Sequence, residues 1–169
     1  MNTQIKDLEV MDYPPLTEDL EEAKEHLDLY GMALIKNVLS TDEVDQMGQR
    51  LTEQFFGEEK FKVGSKVRGD EGLGVESSEE EKVSRLVWNL INKGDCFLKL
   101  IDHPKILPLI QHIIGERVCL CSMGAHMNGS GNERMALHQD QWPLVPHPMD
   151  FAFMANVMYL ISDNSEENG

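Results

Sequence analysis

His138 and Asp140 stand two residues apart in Met135-Ala136-Leu137-His138-Gln139-Asp140-Gln141-Trp142, a histidine and a carboxylate in an apolar, strand-like stretch. Successive side chains of a strand alternate faces, so residues i and i+2 point the same way. An imidazole nitrogen and a carboxylate oxygen placed so can converge on one cation, with Gln139 turned to the opposite face. With one further histidine the pair would form the facial triad of a non-haem Fe(II) oxygenase, which keeps positions open for dioxygen and a co-substrate. His126, ahead of the motif, and His147, nine residues after His138, are the conceivable third ligands. His147 lies between Pro146 and Pro148 and reads better as a loop-shaping or substrate-side residue. Trp142, directly after the motif, is expected to wall the metal pocket.

The remaining chemistry-bearing residues are weighed against plainer roles. Cys119-x-Cys121 would put two thiols on one side of a strand, but with no second cysteine pair they read as small apolar strand residues. Arg134 and Lys99 could attract a carboxylate co-substrate, although their spacing does not single them out. His26, His103 and His112 read as surface or capping groups, and the methionines as core filler. The acidic runs near residues 18–28 and 79–81 read as solvated faces.

The composition limits the partners. Thirty acidic residues against fifteen basic ones give a formal charge of −15, which repels phosphate backbones and anionic membranes. Nucleic-acid and membrane partners are therefore not expected, and a small-molecule partner is. Three cysteines make no disulfide framework, the N-terminus does not read as a secretory leader, and no apolar run reaches spanning length. A reducing, cytoplasmic setting follows as the expectation. With 169 residues, of which 41% are hydrophobic, one domain with a real core is expected over 1–169.

The elements that must position the motif run helices first, strands last. Thr17 is placed to cap a helix carrying Leu20, Ala23, Leu27 and Tyr30, with Gly31 as its left-handed stop. A short strand follows at 32–35. Ser40 and Glu43 have capping-box spacing ahead of Val44, Met47, Leu51 and Phe55, and Gly57 is the expected end. Residues 57–78 read as a long loop. Ser78 and Glu81 repeat the capping pattern before Val83, Leu86, Val87, Leu90 and Ile91, which predicts a third helix ending at Gly94. Shorter helices are expected over 98–101 and 104–114, the second opening on Pro104. Segments 118–123, 135–141 and 151–161 read as strands. The division is thus 1–115, mainly helical support, and 116–169, strands. The fold class is α+β, with helices bracing one sheet of a jelly roll.

Taken with Gln141-Trp142-Pro143-Leu144, His147-Pro148 and the segment from Asn156 to Glu167-Asn168-Gly169, the motif resembles the phytanoyl-CoA dioxygenase family of Fe(II)- and 2-oxoglutarate-dependent oxygenases. Tyr30 to Ser40 is similar to that family's first strand and capped helix, and His103 to Leu107 with Ile114-Gly115 to the segment before its barrel. The resemblance implies Fe(II) held by His138 and Asp140, 2-oxoglutarate as co-substrate with Asn156 as a contact to it, and hydroxylation of an unactivated C–H bond. It implies a double-stranded β-helix core of the cupin kind.

The family pattern continues past such a Glu-Asn-Gly turn to a distal iron-binding histidine and an arginine that pairs with 2-oxoglutarate. The expectation is therefore the N-terminal portion of the fold, with an incomplete jelly roll, its strand edges unpaired or completed by another chain or an oligomer. A catalytically inactive interaction module that pairs those strands with a partner is the alternative, and a cupin-type metalloenzyme without 2-oxoglutarate a third reading.

Overall fold

The computed structural model describes residues 13–68, 83–127, 140 and 151–164. It divides into two compact units, Met1–Val38 and Leu39–Gly169. Both are small assemblies of helix and sheet, compatible with the expected α+β class, although strands and helices interleave rather than running helices first and strands last.

In the first unit β1 (Leu16–Thr17) pairs in parallel with β2 (Leu34–Ile35), and α1 (Leu20–Tyr30) makes the crossover. The cap of α1 is Asp19 rather than Thr17: the Asp19 carboxylate accepts from the backbone N–H groups of Glu21 and Glu22. Thr17 is drawn elsewhere, its hydroxyl accepting from the Asp19 N–H at 3.0 Å and donating to Glu22. Gly31, with φ 72°, closes the helix as expected. His26, expected at the surface, is buried against Tyr30, with ring centroids 5.8 Å apart in an edge-on contact.

In the second unit α2 (Thr41–Phe61) opens on the predicted capping box: the Ser40 hydroxyl accepts from the Glu43 N–H, and the Glu43 carboxylate accepts from the Ser40 N–H. Those bonds, the backbone one foremost, hold the Glu43 carboxyl below its usual range. The helix continues through Gly57 and stops at Lys62, which takes the left-handed conformation with φ 57°. A helix-interior glycine costs only about 1 kcal/mol, which burial of Met47 and Phe55 earlier in the same helix offsets.

The largest correction concerns residues 83–91. They form a strand, β4 (Val83–Trp88), and a following 3-10 turn (Leu90–Asn92), not a helix. Asn89, in the left-handed region at φ 56°, ends the strand. β4 is the centre of an antiparallel sheet between β3 (Ser65–Arg68) and β5 (Gly124–Met127). Part of the expected 57–78 loop is therefore ordered as the end of α2 and as β3. Residues 118–123, expected as a strand, precede the ladder, which starts at Gly124. Two short helices, α3 (Asp95–Leu98) and α4 (Leu107–Ile114), follow β4. α4 opens with Pro108 in its first turn rather than Pro104, because His103 and the residues after it form a turn in which the His103 carbonyl accepts from Ile106 and Leu107. Residues 151–161, expected as a strand, form neither strand nor helix and, with the rest of 151–164, join no ladder among the described residues.

The core of this unit gathers Met47, Phe55, Val87, Leu90, Phe97 and Leu100, with Met123, Ala125, Met127, Tyr159 and Ile161 against it. A polar ladder flanks it. The Arg50 guanidinium donates to the Lys93 carbonyl and to Gln54, and the Gln54 amide and Lys93 ammonium both donate to Glu58. Burial raises the Glu58 carboxyl, but those two donors outweigh it and leave it below the usual carboxylate range. No helix among the described residues is long and apolar enough to cross a membrane.

Tyr159 ties the 151–164 segment down: its hydroxyl donates to the Leu100 carbonyl at 3.0 Å. Burial pushes its phenol up to about 12. A raised value in the folded state means that the unfolded chain loses this proton first as the pH climbs. The stabilisation is thus intact below pH about 10, where an unfolded tyrosine ionises, and is lost as the pH rises toward 12. Tyr159→Phe is expected to lower stability near neutrality by about 0.5–1.5 kcal/mol, the worth of one hydrogen bond. It should also flatten the decline above pH 10. Urea midpoints measured at pH 7, 9, 10 and 11 check this, and parallel declines in the two proteins would contradict it.

Candidate functional site

Two of the expected site residues meet in the structure: Asp140, picked out by its spacing from His138, and Asn156, implied by the family resemblance. Asp140 lies in a turn, exposed, rather than in the middle of a strand as expected. Asn156 sits on the 151–164 segment, also exposed, sixteen residues further on. Its amide Nδ2 donates to the Asp140 Oδ2 at 2.5 Å. A carboxylate can only accept, so the amide nitrogen must be the atom that faces it. Sequence reasoning selected both residues but not their contact, since a sixteen-residue separation with a turn at one end carries no periodic signal.

His138, Trp142, His147 and Arg134 lie outside the described residues. His126 is on β5, exposed, opposite Leu86 of β4. Its neighbours Ala125 and Met127 pack against the core, so strand alternation turns His126 to the other face of the sheet. Cys119 and Cys121 are exposed free thiols ahead of β5 rather than strand residues. Lys99, at the end of α3, contributes to holding down the Glu43 carboxyl. Among the described residues no three His, Cys, Asp or Glu side chains gather as a metal site. A half-open cavity of about 410 Å³ lies between the end of α2 and β4, lined by Phe55, Glu58, Glu59, Lys62, Gly64, Arg85 and Leu86; it holds none of the sequence-selected residues.

The donor chemistry at Asp140 fits a resident divalent cation. Carboxylates that ligate metals are themselves hydrogen-bonded by outer partners that fix their orientation. A neutral amide does this without discharging the carboxylate, and a histidine beside a carboxylate is the kind of mixed donor pair that open Fe(II) sites use.

Residues 27–169 match the family described as Phytanoyl-CoA dioxygenase (PhyH). The chain belongs to the phytanoyl-CoA dioxygenase family. The match takes in α2 and the whole of the second unit, His138-Gln139-Asp140 included. A curated relative, Dioxygenase af480 of Aspergillus fumigatus, is 27% identical over 154 residues, which cover 91% of this chain and 47% of the relative. The chain thus spans about half the length of that relative. No solved structure matches the chain.

Proposed function

We propose that this chain carries His138 and Asp140 as the first two protein ligands of an Fe(II) site, in a 2-oxoglutarate-dependent oxygenase acting on a small molecule. The observation that carries the reading is the family match running through the His-x-Asp motif. The amide held on Asp140 supports it. When bound, Fe(II) with 2-oxoglutarate would supply the activation of dioxygen that side chains alone lack. Asp140 presents a fixed anionic oxygen and His138 a neutral nitrogen, while Trp142 and His147 are the substrate-side candidates. Asn156 is close enough to the carboxylate to serve either it or the co-substrate. The jelly-roll core and the cytoplasmic setting belong to the same proposal. The net charge of −15 suits a small-molecule partner rather than a polyanion.

Mn(II) titration followed by electron paramagnetic resonance tests the reading on the chain itself. Saturable binding by the wild type that is lost in both His138→Ala and Asp140→Ala is the expected result. No saturable binding, or binding that survives both substitutions, overturns it. Succinate formed from 2-oxoglutarate with Fe(II) and dioxygen is the expected sign of the co-substrate.

A further inference from the structure

We infer that Asn156 is a positioning residue for the Asp140 carboxylate, acting on the metal through it; the inference rests on the proposed Fe(II) reading. Three observations lead here. First, Asn156 Nδ2 and Asp140 Oδ2 are in direct hydrogen-bond contact, although sixteen residues separate them and both side chains are exposed. The Asn156 donor takes one oxygen of that carboxylate, so the bond bears on the direction in which the other oxygen points.

Second, the donor is itself anchored. Tyr159, three residues further along the same segment, is bonded to the Leu100 carbonyl, and Ile161 packs on the core and approaches Gly48. Asn156 therefore reports the position of the core to Asp140. Third, the chemistry is that of an orienting group rather than a neutralising one. A lysine or arginine in the place of Asn156 would compete with a cation for the carboxylate charge, whereas an amide leaves that charge in place while directing it.

A residue that acts this way changes metal affinity without changing stability. Loss of an outer partner of a metal ligand weakens binding by about 10–100-fold. Asn156 is exposed, so its removal costs little folding energy. A contact to 2-oxoglutarate would show the opposite pattern, an unchanged metal affinity with a weakened co-substrate.

The experiment measures Mn(II) affinity and the thermal midpoint of the wild type, Asn156→Ala, Asn156→Leu, which keeps the volume and removes the donor, and Asp140→Ala. Affinity for 2-oxoglutarate is measured at saturating Mn(II). Both Asn156 variants are expected to bind Mn(II) about 10–100-fold more weakly, with metal-free thermal midpoints like that of the wild type and unchanged 2-oxoglutarate affinity once the metal site is full. Wild-type Mn(II) affinity in both Asn156 variants, alongside loss in Asp140→Ala, overturns the inference and leaves the Fe(II) reading standing. So does a defect confined to 2-oxoglutarate. If Asp140→Ala also binds like the wild type, the Fe(II) reading itself fails, and the inference with it.

Discussion

Val87→Asp is expected to leave the second unit unfolded. Val87 is fully buried in the middle of β4, among the Met47, Phe55, Leu90, Phe97 and Leu100 side chains. A carboxylate there finds no cation among these neighbours, and the effective cost of an unpaired ion in such surroundings is several kcal/mol even after relaxation. Set against a total stability of about 5–15 kcal/mol for an ordinary domain, that removes most or all of it. Val87→Thr, which keeps the shape and adds one hydroxyl, should cost about 1–3 kcal/mol, the usual penalty of an unsatisfied polar group. Far-UV circular dichroism and urea unfolding separate the two. A cooperative transition in Val87→Asp at the wild-type midpoint would mean that β4 is not enclosed.

Phe97→Ala is the second large effect. Phe97 is 1% exposed and among the largest side chains with no contact to solvent, held on the short helix α3 against α2 and the 3-10 turn. Truncation removes a ring from a close-packed site that four-residue α3 cannot move far to refill, so a loss of about 3–5 kcal/mol is expected. The urea midpoint should fall with the slope unchanged. Phe61, at the end of α2 and 72% exposed, is the matched control, and its change to alanine should stay within about 0.5 kcal/mol. Equal losses at the two positions would contradict the assigned core.

What could be read from the sequence follows from how local each signal is. The Ser40 and Glu43 pair is a closed local circuit, so its three-residue spacing predicted the start of α2. Gly31 as a stop to α1 is of the same kind. The family resemblance rested on short motifs, and the match over 27–169 bears it out. β4 was misread because Val83, Leu86, Val87, Leu90 and Ile91 fit a helical stripe as well as they fit a strand running into a turn. Both Leu86 and Val87 are buried, so the period-two alternation that marks a strand is absent. Whether such a run becomes helix or strand is decided by its partners, β3 and β5, the second of which lies far along the chain. Asp140 was placed in a strand by its apolar flanks and lies in a turn. Its chemistry was legible from residue types, but its contact with Asn156 is a tertiary fact.

The Tyr159 anchor gives the second unit a thermodynamic linkage. Three residues of chain reach at most about 10 Å, so Asn156 cannot move far while the Tyr159 hydroxyl stays on Leu100. Whatever loosens the Leu100 and Phe97 end of the core also frees the amide that faces Asp140. By reciprocity, on the proposed Fe(II) reading, a cation held through Asp140 would draw the same segment down and shift the folding equilibrium by mass action, more strongly as its concentration exceeds its dissociation constant. Occupancy and cohesion of this unit would then rise and fall together, and heat resistance would report whether the proposed site is filled.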